Sequence, residues 1–168
     1  MQLKMIDKTL YRQRLNRITV ASILALIIVS LSSSTLLIAL LSDGTGSNFW
    51  LNFSGVAMGC LIVGYTLKRL KQHPYFSEVA YIWDLKHELN LIQRKRKAID
   101  AAAAQNDINA LIIQAFSFKA SKLVWQLDDN TLMMSELTIA DNKLQQQIAA
   151  AGLTLDATDY ERDLLARF

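Results

Sequence analysis

Cysteine and proline occur once each in this chain and histidine twice. A lone Cys60 excludes a disulfide framework within one chain. With His73 and His87 it is also too sparse for a structural zinc site, which takes four Cys or His ligands. Charge is missing from two long stretches, Ile18–Ser42 and Gly44–Leu67. No catalytic, metal-binding or nucleotide-binding motif follows them.

What is present is the hydrophobicity of those stretches. Each can cross a bilayer, whose hydrocarbon core needs about 20 apolar residues in a helix. One short polar loop joins them. About 100 residues remain after Leu67, enough for one small helical domain with a modest core. The net charge of +3 hides an asymmetry: residues 1–97 carry 13 Lys/Arg against 5 acids, and residues 98–168 carry 5 against 10. A basic region beside two spans reads as a surface facing anionic lipid, from which the acidic remainder is held away.

The first stretch carries Ser30, Ser32, Ser33, Ser34 and Thr35 in its middle. Hydroxyls bond back to carbonyls one turn earlier, so they are tolerated in lipid. An ion path normally needs an ionisable side chain within the span, and there is none. The apolar run is too long for a cleaved signal peptide, and no small-x-small site ends it, so a retained anchor is expected. The loop holds Gly44, Gly46, Asp43 and Asn48, which favour tight turns, and no Lys or Arg. Basic residues Lys4, Lys8, Arg12, Arg14 and Arg17 precede the first span; Lys68, Arg69 and Lys71 follow the second. The positive-inside bias then puts both termini in the cytoplasm and the loop outside, with Phe49 and Trp50 at the outer interface.

Small residues mark the second span. Gly55 and Gly59 form a GxxxG pair, and Cys60 and Gly64 continue a narrow ridge one face over. Small side chains let helix backbones approach closely in lipid. The pairing expected is with Ala21 and Ala25 of the first span; a homodimer or a partner's groove is the alternative.

Beyond the spans, Pro74 predicts a helix break near His73. A helix is expected from about Pro74 to Gln105, with Val79, Ile82, Leu85, Leu89, Ile92 and Ile99 as its apolar stripe and Arg96 interrupting it. Asn106-Asp107 ends it and caps a second helix over 108–127. These two form an antiparallel hairpin. Ser135 is the expected cap of a third helix, Glu136–Ala151, stopped by Gly152. Thr158-x-x-Glu161 reads as a capping box opening a short final helix.

Candidate chemistry is thin. Arg94-Lys95-Arg96-Lys97 could grip phosphates, of lipid before nucleic acid, since no aromatic stacking platform accompanies it. Asp84, His87 and Glu88 share nearly one helix face and read as a hydrated face rather than an acid–base or metal site. Trp83 and Trp125 read as core packing between the hairpin helices. Asp128-Asp129-Asn130 lacks the glycine and following acid of a calcium loop and reads as a helix stop. Cys60, in lipid, reads as an inert thiol.

Tyr11-Arg12 and Leu15-Asn16-Arg17 before the first span, Asn48-Phe49 and Leu51-Asn52 opening the second, His73-Pro74, Glu78-Val79, Tyr81, Trp83, Leu85-Lys86, Leu89-Asn90 and Gln126-Leu127-Asp128-Asp129-Asn130 carry a likeness. Over residues 5–140 the chain resembles a family of uncharacterised gammaproteobacterial two-span membrane proteins, a domain of unknown function. The resemblance implies the inner membrane of a Gram-negative cell and brings no catalytic residues.

The expected fold class is therefore all-α: a basic segment over 1–17, a transmembrane hairpin over 18–67 with spans at 18–41 and 49–67 and an outer loop at 42–48, and a cytoplasmic helical domain over 68–168. The expected function is non-enzymatic, a scaffold or accessory subunit presenting a helical surface. A sensor of anionic lipid is the alternative and a membrane enzyme the third reading. Expected partners are membrane lipids and a protein partner or second copy, not nucleic acid; no catalytic, metal or cofactor residue is assigned. Arg12, Arg14, Arg17, Lys68, Arg69, Lys71 and Arg94–Lys97 are the expected lipid contacts.

Overall fold

A computed structural model describes residues 2–168. These residues are helical with no strand among them, so the all-α expectation holds. The chain divides into two compact units, Thr9–Ala80 and the combination of the first eight residues with Tyr81–Phe168.

The first unit is a helical hairpin of α1 (Lys8–Leu41) and α2 (Phe49–Leu70). At 34 residues α1 is about 50 Å long. That exceeds a hydrocarbon core of about 30 Å, so the helix includes the basic residues up to Arg17 as well as the uncharged run. Only 11% of the apolar window of each helix is buried, unlike the core helix of a globular domain. Ile23, Leu24, Ile28 and Leu31 of α1 and Phe53 and Leu61 of α2 are exposed. Both helices are long and apolar enough to cross a membrane.

Three hydroxyls on the helices bond back one turn: Ser22 Oγ donates to the Ile18 carbonyl (2.6 Å), Thr35 Oγ1 to Leu31 and Thr66 Oγ1 to Ile62 (2.8 Å). The connecting turn needs a left-handed backbone at Gly44 (φ 74°) and Gly46 (φ 78°), which a Cβ would strain. Ser42 Oγ donates to Asn48 Oδ1 (2.9 Å) across its base. Past α2, Pro74 opens a 3₁₀ turn, Pro74–Phe76, as its missing N–H favours, and His73 Nδ1 accepts the Tyr75 N–H (3.2 Å).

In the second unit the expected helix to Gln105 is two helices. The 3₁₀ turn leads into α3 (Ser77–Arg94), and α4 (Arg96–Ala103) follows a break at Lys95 (φ −103°, ψ 4°). The break falls where Arg96 interrupts the stripe; Ile92 and Ile99 on either side are both buried. Asn106 (φ 60°) turns the chain, and Asp107 Oδ1 accepts the Ala110 N–H (2.9 Å), capping α5 (Ile108–Leu127). Gln147 Nε2 donates to the Ala103 carbonyl (2.7 Å), which also accepts the Asn106 N–H (2.9 Å), and to Asn106 Oδ1 (3.0 Å).

Helix α5 is the centre of this unit. Ala110, Leu111, Ile112 and Ile113 are all buried in succession, the mark of a helix covered all round. Helix α6 (Met134–Ala150) begins before Ser135, which lies inside it and caps nothing. It ends in a Schellman motif: Gly152 (φ 68°) and Leu153 return N–H bonds to Ala149 and Ile148. The tail holds two 3₁₀ segments, Ala157–Asp159 and Arg162–Arg167, in place of the expected short α-helix. Its capping box joins Asp156 and Asp159, not Thr158 and Glu161. At the other end of the chain, Tyr81 Oη accepts the Lys4 N–H (2.9 Å) and donates to the Gln2 carbonyl (3.0 Å), holding the first residues on this unit.

Candidate functional site

The hairpin helices meet through Gly55 and Gly59. A Cβ on Gly55 would stand 2.6 Å from the Ser34 nitrogen, and one on Gly59 2.2 Å from Ser30 Oγ. The GxxxG pair thus faces Ser30-x-x-x-Ser34, a second small-residue pair, rather than Ala21 and Ala25. Hairpin geometry explains the correction, because a short turn pairs residues at equal distance from it. Ser34 Oγ also donates to Asn52 Oδ1 (2.8 Å), which draws Asn52 into the interface. Cys60 is exposed, and a Cβ on Gly64 would meet nothing within 4 Å, so neither packs in the hairpin.

In the helical unit the trio Asp84, His87 and Glu88 separates. Asp84 and His87 are exposed, whereas Glu88 is buried at 5% exposure, against the expectation of a hydrated face. Its partner is Tyr160 from the tail, whose hydroxyl donates to Glu88 Oε1 at 2.6 Å. Tyr160 stacks on Phe116 of α5 with centroids 4.0 Å apart, and Arg162 Nε lies 3.7 Å from Glu88 Oε2. Burial, and then the bond to Glu88 and its charge, raise the Tyr160 pKa above the ordinary phenol value. The hydroxyl therefore stays a donor. A hydrogen bond to a charged acceptor contributes about 1.5–3 kcal/mol. This arrangement fastens the tail to α3 and α5. Sequence reasoning missed it because the partners stand 72 residues apart. Tyr160 as the only aromatic residue between Trp125 and Phe168 was the available signal.

Trp83, expected in the core, is exposed, and Trp125 is half-buried. Trp125 lines an open cleft of about 330 Å³ with Ile92, Phe118, Met133 and Leu137, and Arg96 and Glu136 at its polar edge. Lys86 pairs with Asp128 (2.7 Å) and Lys8 with Asp129, so the Asp128-Asp129 stop also carries ion pairs.

The basic residues have different surroundings. Arg14 pairs with Glu78 and lies over the Tyr75 ring, 5.1 Å from its centroid. Burial opposes ionisation of Glu78, but its own N–H, Ser77 and Arg14 outweigh it and lower its pKa. Arg69 Nε donates to Tyr65 Oη (2.9 Å). Arg12, Arg17 and Lys68 are exposed and Lys71 half-buried. The break at Lys95 divides the run Arg94–Lys97: Lys95 Nζ donates to the Leu165 carbonyl (2.7 Å) and Arg96 reaches Asp100 (3.4 Å), while Arg94 and Lys97 are exposed. Lys95 is thereby tied to the tail, unlike its neighbours. Among the described residues no three His, Cys, Asp or Glu side chains gather as a metal cluster would require.

These features define an all-α protein with two helices of membrane-spanning length and a second, separately cored helical unit. Over residues 1–165 the sequence matches the family described as Protein of unknown function (DUF3087), and the chain belongs to that family. No curated protein and no solved structure matches it.

Proposed function

We propose that this protein is a membrane-anchored, non-enzymatic scaffold or accessory subunit that presents its helical unit at the cytoplasmic surface of a bacterial inner membrane. The observation that carries this reading is the inverted polarity of the hairpin: large apolar side chains outside, Ser and Gly inside. Water would not tolerate that outer surface, and lipid would. The basic residues Arg12, Arg14, Arg17, Lys68, Arg69 and Lys71 all flank the ends of the helices away from the turn, whose only charge is Asp43. The positive-inside bias then favours a cytoplasmic placement of both termini.

The helical unit supplies the surface to present. Its buried Glu88 carboxylate is held by Tyr160, and its cleft beside Trp125 is open. Exposed Arg94 and Lys97 favour a second reading, contact with anionic lipid by the same unit. Alkaline carbonate extraction with reporters fused after Phe168 and within residues 42–48 tests the anchor. The expected result is a carbonate-resistant protein with cytoplasmic activity after Phe168; release by carbonate overturns the reading. In-membrane crosslinking at native expression then tests the scaffold role, for which a reproducible heteromeric partner is expected.

A further inference from the structure

The register of the hairpin leads to a site. From the Ser34–Gly55 contact to the Ser30–Gly59 contact, α1 steps back four residues as α2 steps forward four. Continued once more, the register sets Leu26 opposite Val63. Past this level α1 and α2 run beside an open space. Between them opens a groove of about 420 Å³, walled by Ala21, Ala25, Val63 and Leu67 and ended by Phe76, with Arg17 at its rim.

Three observations define what fits. First, the two aliphatic hydroxyls on the groove walls, Ser22 and Thr66, are bonded to carbonyls of their own helices, and most of the remaining lining is apolar. Second, the volume lies in the range of small-molecule sites. Third, the groove carries one uncommitted cation. Arg14 is engaged by Glu78 and Tyr75 and Arg69 by Tyr65, whereas the Arg17 guanidinium makes no hydrogen bond or ion pair among the described residues. An apolar slot with a free guanidinium at its mouth complements an amphiphile of one hydrocarbon chain and one phosphate. Guanidinium binds phosphate through paired, charge-assisted hydrogen bonds.

We propose that this groove binds one acyl chain of an anionic phospholipid, whose phosphate pairs with Arg17. The site rests on the reading of α1 and α2 as a membrane hairpin. Ala21 and Ala25 on its wall are small and leave room for the chain.

The test uses the full chain in vesicles of phosphatidylethanolamine and phosphatidylglycerol, the latter bearing a diazirine on one acyl chain. Photolysis is expected to place crosslinks in residues 17–29 and 62–70. Arg17→Gln, an exposed change that leaves the fold alone, is expected to lower labelling about tenfold, the loss of about 1.4 kcal/mol of binding. Labelling by a diazirine phosphatidylcholine, whose phosphate is balanced by its own choline cation, should fall less in that variant. Ala25→Phe, which fills the slot, is expected to lower labelling by both lipids. Carbonate-resistant protein whose labelling is spread evenly along both helices, or is unmoved by both substitutions, overturns the groove and leaves the membrane hairpin standing. Protein released by carbonate overturns both.

Discussion

The hairpin and the helical unit solve the same packing problem with opposite materials. In the helical unit Leu, Ile and Phe point inward around α5, and burial of apolar area supplies the drive. In the hairpin such residues point outward, and the contact is made by Ser30, Ser34, Gly55 and Gly59. On the proposed membrane placement, lipid offers no hydrophobic drive for two helices to associate, and close backbone approach and dispersion hold them. One interface tolerates no voids and the other no added atoms.

That contrast can be broken from either side. In the helical unit the largest expected loss comes from Phe116→Ala. It empties the ring that stacks on Tyr160 and should lower stability by about 3–5 kcal/mol, read from urea melts of the full chain in micelles. In the hairpin the corresponding change adds volume. Gly55→Leu forces a side chain against the Ser34 backbone and should cost about 1–3 kcal/mol or more, read as loss of helicity at a lower fraction of SDS in mixed micelles. Each variant should move one transition and leave the other. If Phe116→Ala shifts the SDS transition as much as the urea one, the two units are not energetically separate.

Several elements were legible because their causes are local. The two apolar runs, the Gly44–Gly46 turn, the Asp107 cap, the 108–127 helix and the Gly152 stop each depend on a few adjacent residues. The hairpin contact was half legible. Gly55-x-x-x-Gly59 announced a close approach, but counting equal distances from the turn was needed to find Ser30 and Ser34 instead of Ala21 and Ala25. The buried state of Glu88 was not legible: on its own helix it shares a face with Asp84 and His87, and its partner comes from a tail of 3₁₀ turns without helical periodicity. Ser135 failed as a cap for a related reason. A serine before an acidic residue is equally at home in a first turn, and α6 begins earlier, at Met134.

A finer test of the helical unit addresses the Tyr160–Glu88 bond. Tyr160→Phe keeps the stack on Phe116 and leaves Glu88 Oε1 without that donor, at an expected cost of about 1–3 kcal/mol. The bond also has a pH signature. Folding raises the Tyr160 pKa above its ordinary 10.0, so its contribution is fully present below that value and declines as pH rises past it. Urea midpoints of the wild type should therefore fall above about pH 10 more steeply than those of Tyr160→Phe. Parallel curves would remove Tyr160 as the cause.

The smallest expected effect lies at the start of the same tail. Asp156 accepts a hydrogen bond from Lys119 Nζ (2.6 Å) and another from the Ala157 N–H, and its own N–H donates to Asp159 Oδ2 (2.9 Å). The Lys119 bond above all, with the backbone donors, holds its carboxyl below the ordinary carboxylate value against the opposing effect of burial. A lowered pKa gives stability that is present above the unfolded value and lost as pH falls through the folded one, so the contribution disappears below about pH 4. Because Asp156 and Lys119 are about half exposed, solvent screens the pair, and the cap should dominate the cost of Asp156→Ala. That cost is expected at about 1 kcal/mol, while Lys119→Ala should cost less, a few tenths. Melts of the two variants at neutral pH separate the terms: equal losses would mean that the ion pair, not the 3₁₀ cap, fixes where the tail turns toward Glu88.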